Sequence, residues 1–382
     1  NALTCAIKCT KLNPKWAKGW TRLGTTLYSF KKNNESLTAF KKPHELDKKN
    51  EYYLIHNKLN KDYIYKNKNE IIIPIRNIPF AREFRKLIEI PFRLKNHKLD
   101  IVHETAQIGP FLFPTKYKKI TTICDLVPLV VPETQPKFSV VHHKFALPII
   151  SKRTDKIITI SESTKRDVNK KLNIDKEKIT VTLLAANKSF KPVKSKQVLK
   201  KNNLKENYIL CVGTLEPRKN IIGVVKAFSK VLKNNPTEHL LIVGRKGWKY
   251  QEIFKLVKTK KLENKITFLE NIETKDLPAL YAHAKMFVYP SLYEGFGLPP
   301  LEAMSCKCPV ITSNNSSLPE VVKDAAILIT PRNTKQLQLS MELLITNKHL
   351  RTKLIKAGIK QAKKFSWKET ARQTLKIYNS LN

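Results

Sequence analysis

Chemistry concentrates in the stretch Pro290-Ser291-Leu292-Tyr293-Glu294-Gly295-Phe296-Gly297-Leu298-Pro299-Pro300, which follows the apolar run Met286–Tyr289 and precedes a helical pattern carrying Glu302. Its two glycines permit a turn tight enough to bring backbone N–H groups against a ligand, and Pro299 and Pro300 fall early in the helix, where no N–H is needed. A helix that starts behind a glycine turn is a ready anion site. Glu294 and Glu302 form the only Glu pair in the chain at that spacing. The second window is the apolar run Tyr208–Val212, which ends in Gly213 and Thr214 and delivers Arg218 and Lys219 to a loop. The carboxyl end of a strand beside a crossover is where α/β sheets bind ligands. Two adjacent cations there can neutralise a diphosphate; the plain alternative is a surface pair.

The elements that must position these residues read as short apolar strands alternating with amphipathic helices, the pattern of doubly wound α/β sheets. Strands are expected at 71–75, 101–103, 120–124, 156–160, 179–183, 208–212, 240–243, 265–268, 286–289 and 310–311. Helices are expected at 161–171, 221–234, 250–260, 274–284 and 301–305, with a last one at 368–381 after a bend at Phe365-Ser-Trp367. The polar, Lys-rich stretch 187–206 is the hinge. The organisation expected is a first α/β domain over 51–192, a second over 193–365, and a terminal helix over 366–382 that crosses back to the first.

Residues 1–50 follow a different grammar. Trp20-x2-Leu23-Gly24-x2-Leu27, then Ser36 and Phe40, resembles the tetratricopeptide repeats of Hsp-organising co-chaperones, with Ala2, Ala6, Cys9 and Pro14 fitting half of a preceding repeat. This implies a short all-α segment. One and a half repeats cannot bury a continuous core, and Pro43 interrupts the pattern, so the segment reads as incomplete and chaperone-tail binding is not expected.

Composition narrows the classes. The chain has 382 residues, 41% of them hydrophobic, enough for two cores and too many for a disordered chain. Its longest apolar runs are too short to span a bilayer, and 1–13 mixes polar residues into any leader, so no signal peptide is read. The net charge of +41 invites nucleic acid, but 60 of the 72 basic residues are Lys, spread through every segment. Arg, which suits bidentate phosphate and base recognition, numbers only 12. Specific nucleic-acid binding is therefore not expected, whereas looser attraction to an anionic membrane surface fits the charge. The six cysteines lack disulfide or zinc spacing and suit a cytoplasmic protein, and His142-His143 reads as a helix face.

The windows above, with Ile160-Ser-Glu-Ser-Thr-Lys-Arg-Asp-Val168 and Pro319-Glu-Val-Val322, resemble the retaining family 4 glycosyltransferases of GT-B fold, and among them bacterial mannosyltransferases of polysaccharide synthesis. The resemblance covers 51–382 and implies two Rossmann-like domains facing a cleft. It implies transfer of a hexose, mannose first, from a nucleotide-sugar such as GDP-mannose to a glycan or lipid-linked acceptor, with no cofactor. Gly213, Thr214, Arg218 and Lys219 would then hold the donor diphosphate. Glu294 would contact the transferred sugar, Gly295, Phe296, Gly297 and Leu298 would line sugar and phosphate, and Glu302 would bind the ribose. No two Asp are separated by one residue, so the metal motif of the other main glycosyltransferase fold is missing and no metal is expected.

The first domain departs from the family. Cys124-Asp125 stands where the family places His-Asp, leaving Asp125 as the candidate catalytic group on that side, and the opening strand, glycine-rich loop and first helix have no counterpart. Arg153 and Ser161 are further cleft candidates. The alternatives are an impaired remnant that binds nucleotide only, and a tetratricopeptide adaptor.

Overall fold

The structure, a computed structural model, describes residues 84–105 and 107–381 and the backbone of four strands before them. It divides into two compact units, one of 1–129, 137–183 and 367–382, the other of 130–136 and 184–366.

The first unit is built on an eight-stranded sheet in the order β4-β3-β1-β2-β5-β6-β7-β8. Its strands are β1 (Cys5–Lys8), β2 (Lys18–Thr21), β3 (Tyr52–His56), β4 (Glu70–Ile72), β5 (Leu99–Glu104), β6 (Lys118–Ile123), β7 (Lys156–Thr159) and β8 (Ile179–Val181). From β5 to β8 the pairing is parallel and sequential. Between β6 and β7 runs the helix Lys137–Arg153, and between β7 and β8 the helix Glu162–Leu172. Ser161 caps the second helix by accepting the N–H of Thr164 at 3.0 Å, which accounts for the Ser-x-x-Thr spacing at its start. The terminal helix Trp367–Asn379 packs Ile377 and Tyr378 into the cluster of Ile101, Ile120 and Ile158.

The all-helical repeat expected over 1–50 is not what the described residues there form. Cys5–Lys8 and Lys18–Thr21 are strands, and Lys18–Thr21 pairs in parallel with β5. The physical reason is that β5, an apolar strand in a parallel sheet, needs a hydrogen-bonding partner on each side, a demand that a local helical pattern does not register. The rest of the tetratricopeptide reading lies outside the described residues.

The second unit has a six-stranded, wholly parallel sheet in the order β11-β10-β9-β12-β13-β14. The strands are β9 (Ile209–Val212), β10 (Leu240–Val243), β11 (Ile266–Leu269), β12 (Met286–Tyr289), β13 (Val310–Ser313) and β14 (Ala326–Ile329). Counted within the unit this is 3-2-1-4-5-6, the dinucleotide-binding order, whose switch point lies between its first and fourth strands, β9 and β12. Each of β9, β10, β12 and β13 is a four-residue run buried throughout, as a sheet covered on both faces requires. The helix Ile221–Asn234 covers one face with Ile221, Val224, Val225, Phe228 and Val231, an apolar stripe at helical spacing.

Candidate functional site

The switch point explains why the two sequence windows meet. The chain leaving β9 carries Gly213 to Lys219 and the chain leaving the adjacent β12 carries Pro290 to Gly297, so both loops emerge side by side from the same edge of the sheet. Close approach at this edge depends on Gly244, just past β10: a Cβ there would sit 1.9 Å from the carbonyl oxygen of Gly213. A Cβ on Gly213 would meet the Lys219 side chain at an ordinary 3.5 Å, and Thr214 is buried.

At the centre is the Glu294 carboxylate. Its Oε1 accepts hydrogen bonds from Lys219 Nζ at 2.5 Å, Tyr289 OH at 2.8 Å and Ser291 Oγ at 2.7 Å, and pairs with Arg218 at 2.8 Å. Tyr289 in turn accepts from Lys219, whose ammonium lies 4.9 Å from the centre of its ring. Arg218 also donates to the Tyr293 carbonyl and pairs with the buried Glu216 at 2.6 Å. Burial pushes the Glu294 carboxyl upward, but the charges of Arg218 and Lys219 and the bonds from Lys219 and Ser291 outweigh it and hold it down at about 2. Lys219 is lowered by its burial and by Arg218, against the pull of Glu294. Both cations expected to face a diphosphate are thus already balanced by two carboxylates, Glu216 and Glu294.

The loop after β12 is held by the loop after β13. Asn315 donates to the Leu292 carbonyl, Ser316 Oγ accepts the Glu294 N–H at 2.9 Å, and Ser317 Oγ donates to the carbonyls of Glu294 and Phe296, both at 2.8 Å. Gly295 and Phe296 are buried, and the Phe296 ring meets Phe365 edge-on. Gly297 takes φ +111° as the residue before the helix Leu298–Ser305, so an L side chain is strained there, and its Cβ would meet Leu318 at 2.8 Å. Glu302 is buried on that helix, its Oε2 accepting from Tyr281 OH at 3.2 Å.

Asp125 belongs to the first unit and is not part of this cluster. It follows β6, its Oδ1 accepting from Gln107 Nε2 and from the N–H of Val127, each at 3.1 Å. Cys124 is buried with its thiol toward the Thr105 carbonyl. Ser161 serves as the helix cap described above, and Arg153 is exposed in the last turn of its helix.

Sequence reasoning missed Glu216, Tyr289, Ser291, Gly244 and the Asn315–Ser317 clamp. Tyr289 and Ser291 alternate across a strand end and read as core; a period-two pair flanking a proline and pointing toward Glu294 was the available signal. Glu216, two residues before Arg218, was visible as a neighbouring opposite charge.

Two α/β units, the second with a wholly parallel sheet in dinucleotide-binding order and a cationic loop at its switch point, are the architecture of GT-B glycosyltransferases. Residues 194–361 match the family described as glycosyl transferases group 1. The chain is 33% identical over 326 residues to the O-antigen chain mannosyltransferase B of Escherichia coli, covering 82% of this chain and 84% of that protein. Among solved structures it is similar to sucrose-phosphate synthase from Thermosynechococcus elongatus, with a TM-score of 0.73 at 21% identity over 85% of this chain and 86% of that one. It is also similar to HepE of Anabaena in complex with UDP-glucose, with a TM-score of 0.61 at 19% identity over 69% and 73%. The chain belongs to the group 1 glycosyltransferases and is an enzyme of that class.

Proposed function

We propose that this enzyme transfers a mannosyl group from a nucleotide-diphosphate sugar to a glycan or lipid-linked acceptor during polysaccharide synthesis, with retention of configuration and without a metal ion. The similarity to an O-antigen mannosyltransferase supports the sugar, and HepE, solved with UDP-glucose, supports a nucleotide-sugar donor. The observation that carries the reading is the convergence of Lys219, Arg218, Tyr289 and Ser291 on one oxygen of Glu294 at the switch point. Among the described residues Glu294 Oε2 accepts no hydrogen bond, so this acceptor is left for a hydroxyl of the transferred sugar. Arg218 and Lys219 stabilise the diphosphate as it departs with the electron pair of the C1–O bond, the Phe296 and Gly297 N–H groups help hold it, and Glu302 binds the ribose. Asp125 is the candidate catalytic group of the first unit.

Calorimetry with GDP and UDP, with and without EDTA, tests this: binding of one nucleotide that persists in EDTA is expected, and loss of binding in EDTA defeats the metal-free claim. A second reading, an enzyme that binds donor and turns over weakly, is favoured by Cys124, a buried thiol in the place of an imidazole. Robust transfer by this chain would remove it.

The same reading places the enzyme against an anionic membrane. The outward side of the helix Lys137–Arg153 presents Phe138, Val141, Phe145 and Ile149 among Lys137, Lys144, Lys152 and Arg153, and the helix contains no acid.

A further inference from the structure

Asp125 is held by a chain of side chains that the proposed transfer reaction does not by itself require. Gln107, in the left-handed region at φ +62°, donates from Nε2 both to the Asp125 carbonyl and to Asp125 Oδ1, each at 3.1 Å. Two acceptors on that side fix which end of the amide is nitrogen, so Oε1 must point the other way. There it meets His143 Nε2 at 2.8 Å, while His143 Nδ1 lies 2.7 Å from the Ser139 carbonyl, one turn back on the helix. These two groups, one at each ring nitrogen, are acceptors only. A neutral imidazole has one donor and one acceptor, whereas the imidazolium donates from both nitrogens.

We propose that His143 is a positioning residue, which as an imidazolium locks the Gln107 amide and through it the carboxylate of Asp125. The inference rests on the reading of Asp125 as a catalytic group. Removal of the proton leaves two acceptors face to face at one end of the ring. If Gln107 then turns to donate to the ring, its oxygen faces the carboxylate and carbonyl of Asp125, and the Asp125 carboxylate keeps only the N–H of Val127. The cation that Cys124 cannot supply at the end of β6 is thus supplied from the helix Lys137–Arg153.

His142 cannot substitute for it, because its ring stacks on Phe138 and meets His143 only edge-on at 5.8 Å. Asp125 stands behind Gln107, the helix of His143 also carries Lys137, Lys144, Lys152 and Arg153, and the helix Glu162–Leu172 that packs against it carries Glu162, Lys165, Arg166 and Asp167 in its first half. These four are two acids and two bases, so their formal charges cancel.

The test uses the full chain with histidine labelled in carbon and nitrogen. NMR titration is expected to show His143 protonated at both nitrogens at neutral pH, with its midpoint at least about one pH unit above the ordinary value of about 6.5, and returned to that value in Gln107→Leu. An ordinary midpoint, or one that Gln107→Leu does not move, overturns the proposal whether or not any transferase activity is found. With a competent donor and acceptor, His143→Ala is expected to lower kcat about tenfold with donor affinity unchanged. His143→Lys, which keeps one donating cation, is expected to recover much of that loss and to carry activity to higher pH. An unchanged kcat in His143→Ala, or equal losses in the Ala and Lys variants, also overturns it. The NMR arm needs no substrate, so failure to find transfer defeats the functional reading alone.

Discussion

Glu294 Oε1 is contacted by four groups, Lys219, Arg218, Tyr289 and Ser291, two of them cations, which sets what its loss costs. Removing one partner of a buried charge pair costs about 3–5 kcal/mol, because the other charge stays buried and uncompensated. Glu294→Gln is therefore expected to lower unfolding stability in urea by that order, with Lys219 left against a neutral amide; a change below about 1 kcal/mol would show the pair is not what holds this loop. The same carboxylate gives the acid limb. Its folded value near 2 lies below the ordinary carboxylate value of 4.5, so its contribution is fully present above that value and is lost as pH falls toward 2. The contribution is about 3 kcal/mol, and Glu294→Gln should flatten stability against pH between roughly 5 and 2. Lys219→Ala leaves Glu294 paired with Arg218 alone, so part of its cost falls on the fold, and the rest should fall on ligand. A charge-assisted bond is worth about 1.5–3 kcal/mol, and calorimetry with the preferred nucleotide should show a loss of that size. Unchanged affinity would mean that Lys219 serves only to hold Glu294.

At the scale of elements, the edge of the second sheet is set by glycines more than by its charged loops. Gly244→Ala would drive a methyl into the Gly213 carbonyl, and backbone must move at both β9 and β10 to admit it. This substitution, on a residue that bears no functional group, should reduce both thermal stability and nucleotide binding, whereas Gly213→Ala, which meets only ordinary contacts with Lys219, should leave the fold nearly intact. Equal thermal shifts in the two variants would contradict the packing argument. The sequence showed these strands because each is a short apolar run between turns, and Ile221–Asn234 was legible to the residue because its apolar stripe keeps helical period. Lys137–Arg153 was legible only at His142-His143, read as a helix face; its extent was not, because apolar residues lie on both its sides and Pro148 stands inside it. Lys18–Thr21 was hidden for another reason, since its partner β5 lies some eighty residues onward and local pattern carries no trace of it. In the site, Arg218, Lys219 and Glu294 could be read from motif spacing, but their neutralisation by Glu216 and the clamp from Asn315–Ser317 depend on which strands are neighbours.

Over the whole molecule, a charge of +41 carried mostly by Lys acts as a diffuse field rather than a recognition device. Such a field draws the protein toward any anionic surface, at about 1 kcal/mol per basic residue close to a charged membrane, and is screened within a Debye length. Field alone would give binding that salt abolishes. The helix Lys137–Arg153 adds a term that salt does not screen, because Phe145 is 65% exposed and Phe138 53% exposed on a face that also carries lysines. Among the described residues no helix is long and apolar enough to cross a membrane, so attachment through this helix would be from one side. Co-sedimentation with vesicles of mixed neutral and anionic lipid should therefore show binding that falls as NaCl rises but levels off above zero. Phe138→Ser with Phe145→Ser should remove that residual part while leaving the low-salt binding largely in place, and calorimetric nucleotide binding by the second unit should be unchanged. Binding that vanishes in salt for the parent chain would assign the attraction to charge alone and leave the exposed aromatic face without a role at the membrane.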